Sequence, residues 1–187
     1  MINVAVIPGW GGGAWHVKNF VVALKASGFE VTDAARADII IAHSVACQDL
    51  PKKTPAVLYV LIDPPYWPGE TIIKRFLTHI RNGAPSAMRG QSFTYRIQEL
   101  FWRAVYFFAK PKYTAMVLKN SSGMEFLEEI KDKNVWIIRN QNDPYCSPDI
   151  QLPISSSKRV SLITLPGEHD DYYFNPQPYI GLLPKQI

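Results

Sequence analysis

Residues 39–46 read Ile39-Ile40-Ile41-Ala42-His43-Ser44-Val45-Ala46, or IIIAHSVA. A β-branched apolar run stops at a His-Ser pair set between two alanines. A short run over Ala37–Ala42, apolar except for Asp38, predicts a strand covered on both faces, the type found in parallel sheets. The serine at its end has two readings. It is either a nucleophile lifted on a sharp turn or the polar end of a buried strand.

Working outward, residues 2–7 (INVAVI) predict a buried strand that ends in a turn at Pro8-Gly9, with further glycines at 11–13. Apolar residues at 17, 20, 21 and 24 predict a helix over 14–27, with Gly28 as its C-cap. Phe29–Thr32, Val57–Ile62, Val135–Ile138 and Val160–Leu165 are further strand candidates. Strands alternating with helices predict an α/β fold, with a mostly parallel sheet flanked by helices. No internal repeat or low-complexity segment appears.

The alternation is broken at about residues 66–122. Ile72, Ile73, Phe76, Leu77 and Ile80 predict an amphipathic helix, Phe93–Ala109 a longer aromatic one, and Tyr113–Lys119 a third. The chain therefore reads as a single domain over 1–187 with a cap-like helical insertion.

Hydrophobic residues make up 47% and charged residues 19%, too apolar for a disordered chain. The net charge of +4 is unevenly spread. Residues 70–120 hold nine basic and two acidic side chains, a local +7 that leaves −3 for the rest. The plain reading is a solvated basic face. Membrane-surface contact through this basic aromatic segment is a secondary expectation, and nucleic-acid binding is not expected. No apolar window is long enough to span a membrane, and the N-terminus lacks a basic n-region and cleavage site. Cys47 and Cys146 are too few for a disulfide framework and have no metal-ligand spacing. The expected location is the cytoplasm.

Ligands of an open parallel sheet bind beyond the carboxyl ends of its strands. In this chain those ends carry Pro8-Gly9-Trp10-Gly11, His43-Ser44, Asp63, the run Arg139–Pro144 with Asp143, and Glu168-His169-Asp170. A serine needs a base to take its proton as it attacks, and a carboxylate fixes the tautomer of a histidine base. A sharp strand-to-helix turn exposes the serine and aims backbone N–H groups at the developing oxyanion. Small residues two before and two after the serine suit such a turn, and Ala42 and Ala46 stand there.

With these motifs in place, the sequence resembles the α/β-hydrolase superfamily, over most of its length. The chain order Ser44…Asp143…His169 is that family's order of nucleophile, acid and base. IIIAHSVA resembles its nucleophile elbow, IPGWGGGAW its oxyanion loop, RNQNDPYCSP its acid loop and LPGEHDDY its histidine loop. The length is similar to that of small serine hydrolases related to the retinoblastoma-binding serine hydrolase. The departures are alanines where the elbow usually has glycines, and Pro51, which shortens the helix after the serine. The three prolines of the C-terminal YYFNPQPYIGLLPKQI argue against a final helix.

The resemblance implies a Ser44–His169–Asp143 triad acting on a carboxylic ester or related small acyl substrate, with no metal or organic cofactor. Asp143 follows the penultimate strand, the usual place for the acid. Asp63 is the alternative. The oxyanion donors are the backbone N–H of Val45 and that of Trp10 or Gly11. Trp10, Trp15 and Trp67 either line a pocket or pack the core. His16 and Cys47 are expected to be structural, and Asp170 and Asp171 to cap a turn.

Two other functions compete. Gly9-x-Gly11-x-x-Ala14 after a strand, with Asp33 ending the next, has the outline of a dinucleotide fingerprint. A hydrolase fold kept as an inactive binding scaffold is the other.

Overall fold

The computed structural model describes residues 1–9, 13, 15–50, 54–66, 71, 73–74, 92–112, 115, 124, 126–143, 145–146, 148–149, 151–152 and 159–187. Six strands form one sheet: β1 (Asn3–Ile7), β2 (Glu30–Val31), β3 (Ile39–His43), β4 (Leu58–Ile62), β5 (Asn134–Asn140) and β6 (Val160–Leu165). Their spatial order is β2-β1-β3-β4-β5-β6, and every neighbouring pair is parallel. The chain runs outward from β1 to β2, then crosses back to place β3 on the other side of β1. The carboxyl ends of β1 and β3 therefore flank the point where the winding reverses, where a crevice opens in such sheets.

The expected strands are all present, with ends shifted by at most two residues. β5 is the largest extension, because Arg139 and Asn140 stay in register with Thr164 and Leu165 of β6. Alternation along β3 and β4 sends their side chains to two cores. Ile40, Ala42, Tyr59 and Leu61 face one, with Ala46, Phe126 and Ile130. Ile39, Ile41, Val60 and Ile62 face the other, with Phe20, Leu24, Tyr172, Tyr179 and Ile180. Every residue of β3 and β4 is buried, as the uninterrupted apolar runs require. Each aliphatic side chain so buried is worth roughly 1.5–3 kcal/mol.

Helix α1 spans Lys18–Ala26, starting later than the expected Ala14. Residues 15–17 turn first, and the His16 ring accepts a hydrogen bond from the Gly13 N–H at 3.1 Å. His16 is thus a loop-closing residue. Gly28 follows the helix with φ +88°, the left-handed residue its predicted C-cap role needs.

Of the expected insertion, helix α2 (Phe93–Ala109) is the main described part. It carries exposed Phe93, Ile97, Phe101 and Phe108. Most of the predicted helices at Ile72–Ile80 and Tyr113–Lys119 lies outside the described residues. Helix α3 is one turn, Phe126–Glu129. Among the described residues no helix is long and apolar enough to cross a membrane.

The C-terminal segment departs from expectation. It forms two single-turn helices, α4 (Asp171–Phe174) and α5 (Gln177–Ile180). Pro176 and Pro178 fall at the start of α5, where a missing N–H costs nothing. The prolines limit the length of the helices without preventing them. Tyr172, Tyr179 and Ile180 then pack on the same side of the sheet as α1.

Candidate active site

The backbone at the end of β3 explains why Ser44 stands out from the sheet. His43 is extended (φ −115°, ψ 139°), and Ser44 turns to φ +54°. A five-residue 3-10 helix, Ser44–Gln48, follows directly. A left-handed conformation costs an L-residue roughly 1–2 kcal/mol. Among the described residues, Ser44 and Asp63 are the only non-glycines with positive φ. The strain at this turn therefore falls on the serine itself. Ala42 pairs with Ile7 and Leu61 inside the ladder, and Ala46 is buried beneath the turn. Neither alanine has positive φ, so small size is what their positions demand and glycine is not required.

Gly9, after β1, meets this turn closely. A Cβ there would lie 3.0 Å from Ser44 Cβ, 3.0 Å from His43 Nδ1 and 3.2 Å from the His43 carbonyl oxygen. Trp10 and Gly11, the expected oxyanion donors of this loop, lie outside the described residues, as does Trp67. Val45 is buried immediately after Ser44.

Ser44, His169 and Asp143 form a continuous hydrogen-bonded chain. The Ser44 hydroxyl donates to His169 Nε2 at 2.9 Å. His169 Nδ1–H donates to Asp143 Oδ2 at 2.8 Å. The other Asp143 oxygen accepts the N–H groups of Tyr145 (2.5 Å) and Cys146 (3.2 Å). All three side chains are buried. Burial by itself would push the Asp143 carboxyl up. The charge and hydrogen bond of His169, with the Tyr145 N–H, outweigh it and hold Asp143 below the usual carboxylate range.

Further groups fix the histidine loop. His43 Nε2–H donates to the His169 carbonyl at 2.9 Å, and the Tyr173 hydroxyl donates to His43 Nδ1 at 3.2 Å. Because His43 precedes Ser44, this bond ties His169 directly to the turn at Ser44. Asp170 stands at the N-cap of α4 and makes no side-chain capping hydrogen bond; one of its oxygens lies 3.9 Å from His43 Nε2. The Cys47 thiol donates to the Ala42 carbonyl at 3.3 Å, and burial pushes it well above its ordinary range. It is the inert thiol expected.

Asp63, the alternative acid, makes no hydrogen bond to His169 in this structure. Its oxygens accept the backbone N–H of Asn140 at 2.7 Å and the Asn140 side-chain amide at 2.5 Å. Asn140 also donates to the Glu168 carbonyl (3.0 Å) and accepts from the Tyr179 hydroxyl (2.8 Å). This asparagine, not singled out in the sequence, thereby joins the ends of β4 and β5 to the histidine loop and to α5. Its signal was its place at a strand end beside the acid loop.

No family model and no curated protein matches the sequence. Solved structures match along nearly the whole chain. A hydrolase from Oleispira antarctica superposes with a TM-score of 0.66 at 13% identity, over 98% of this chain and 92% of that one. An enol-lactonase from Burkholderia xenovorans LB400 gives 0.62 at 11% identity, over 96% and 88%. A carboxylesterase structure from the thaumarchaeon Nitrososphaera gargenis gives 0.59 at 16% identity, over 97% and 88%. The fold is that of the α/β-hydrolases. Gly9, which opens the glycine loop, packs against the turn at Ser44. Asp33 is held by the Arg36 guanidinium at 2.9 Å and by the Ala35 N–H, and α1 begins only at Lys18. Gly11 and Ala14, which complete the dinucleotide outline, lie outside the described residues. Asp63, Asp143 and His169, and likewise His43, His169 and Asp170, bring nitrogen and oxygen atoms within 4.8 Å of one another. We do not read either set as a metal site, since a cation there would compete with the hydrogen bonds that join Ser44, His169, Asp143 and His43.

Proposed function

We propose that the protein is a serine hydrolase acting on a carboxylic ester or related acyl substrate. The observation that carries this reading is the unbroken chain from Ser44 Oγ through His169 to Asp143, with the serine on a left-handed turn. Ser44 Oγ attacks the acyl carbonyl while His169 Nε2 takes its proton. Asp143 keeps the other proton on Nδ1 and stabilises the imidazolium. His169 then protonates the leaving group, and a water activated by the same nitrogen releases the acyl group. The Val45 N–H is the first oxyanion donor, and the loop after Gly9 supplies the second. We further propose a relation to the small serine hydrolases similar to the retinoblastoma-binding serine hydrolase.

A fluorophosphonate probe tests this directly. Folded protein should be labelled stoichiometrically, and peptide mapping should place the adduct on Ser44. A folded protein that remains unlabelled would overturn the reading in favour of an inactive scaffold.

The approach of Gly9 gives a second check. Gly9→Ala pushes a methyl group against Ser44 and His43, so one or the other must shift. A shift of a few tenths of an ångström at the nucleophile is expected to slow labelling by about ten-fold, while far-UV circular dichroism stays that of the wild type. Wild-type labelling by this variant would mean that the loop does not meet the nucleophile as described.

A further inference from the structure

A second carboxyl group lies behind the acid of the proposed triad. Asp63 is the first residue after β4, has no solvent exposure, and is held at φ +49°. Its oxygen, an Asp143 oxygen and a His169 ring nitrogen all lie within 4.8 Å of one another. Strain of this kind at a non-glycine residue persists only where the surroundings impose it, and it gathers at functional sites. Ser44 is the other described residue that bears it.

We propose that Asp63 is a positioning residue of the triad: as a carboxylic acid, it donates a hydrogen bond to the Asp143 carboxylate and keeps that carboxylate aimed at His169. The proposal rests on the hydrolase reading above.

Two buried carboxylates this close do not both remain charged. The surrounding donors decide which one does. Asp143 receives His169 Nδ1–H and the N–H groups of Tyr145 and Cys146. Asp63 receives two N–H groups from the single residue Asn140. The charge therefore belongs on Asp143 and the proton on Asp63. In keeping with this, burial first, then the charge and hydrogen bond of Asp143, push Asp63 well above the usual carboxylate range. The other titratable groups facing it are Cys47, Cys146 and Tyr179. Burial and the nearby carboxylates push all three up, so none offers it a counter-charge. The Arg139 guanidinium acts on Cys146.

Loss of the Asp63 proton would remove the donor and set two carboxylates against each other, turning Asp143 off His169. Activity should fall on the alkaline side as Asp63 ionises. Asp63→Asn keeps an N–H donor toward Asp143 at every pH, whereas Asp63→Leu has neither donor nor acceptor. The test is the rate of fluorophosphonate inactivation from about pH 6 to about pH 10, alongside melting curves. Wild type should show an alkaline fall. In Asp63→Asn that fall should move up by at least about one pH unit, with the neutral rate within about three-fold of wild type. Asp63→Leu should lose about ten-fold throughout, with probe affinity unchanged.

The melting arm does not depend on activity. A carboxyl whose folded-state pKa is raised costs stability as pH rises from its ordinary 3.8 to the folded value. Asp63→Asn should therefore melt increasingly above wild type across that window. Superposed pH profiles, or a melting difference that does not change with pH, would overturn the proposal while leaving the hydrolase reading intact. So would a loss of about 10⁴-fold in Asp63→Asn, which would make Asp63 itself the acid. Folded wild type that is never labelled would overturn both.

Discussion

Ser44→Ala is expected to reduce turnover on the order of a million-fold and to abolish the fluorophosphonate adduct. The expectation follows from position as much as from residue type. His169 Nε2 has the Ser44 hydroxyl as its partner at 2.9 Å, and the turn at Ser44 is what holds that hydroxyl there. Because φ is +54°, alanine keeps the backbone strain while removing the nucleophile. Ser44→Gly removes both. Glycine takes positive φ without steric cost, so Ser44→Gly should be more stable than Ser44→Ala by about 1 kcal/mol, or roughly 2–4 °C in melting temperature for a domain of this size. Equal inactivity with a higher melting point for glycine would tie the strain to the nucleophile. Substantial turnover by either variant would rule Ser44 out.

That strain marks the limit of what the sequence could say about IIIAHSVA. The apolar run disclosed a doubly covered strand, and the polar residues at successive strand ends disclosed a common edge. These follow from local pattern, because burial on both faces leaves little room for polar side chains along Ile39–Ala42 or in β4. The placement of positive φ was not legible in the same way. Alanine at 42 and 46 suggested difficulty with a left-handed turn, yet the structure assigns that conformation to position 44. Residue type restricts φ only weakly when packing can hold a strained residue in place. The C-terminal prolines misled for a related reason: Pro176 and Pro178 sit where a helix begins, and nothing in their count distinguishes a start from a break.

The difference between the two aspartates was half legible. Asp143 and Asp63 each follow a strand, and strand order alone brings both toward the histidine loop. What separates them is donor chemistry at longer range. Asp63 meets Asn140, 77 residues away, while Asp143 meets His169, 26 residues away. No periodicity encodes such partners. The same holds for His43, whose bond to the His169 carbonyl spans 126 residues.

Asp143→Asn is expected to lower kcat by about 10⁴-fold, and the hydrogen bonds show why. Asp143 Oδ1 accepts the Tyr145 and Cys146 N–H groups, so an amide at this position must turn its oxygen toward them. Its NH₂ group then faces His169 Nδ1. That nitrogen can only accept, which moves the ring proton to Nε2, opposite the Ser44 hydroxyl, where a base has no lone pair to offer. Stability should respond with a defined sign. Asp143 titrates below its ordinary 3.8 in the folded chain, so its contribution is present above that value and is lost as pH falls through the folded pKa. Asp143→Asn should abolish this acid-side slope. It should also relieve Asp63 of a neighbouring charge and so lower the pKa of that carboxyl, since the Asp143 charge is one cause of its rise. Steady-state kinetics and melting curves below about pH 5 test both parts. A variant that keeps near-wild-type turnover, with its acid-side slope unchanged, would remove Asp143 from the triad and leave Asp63 as the acid.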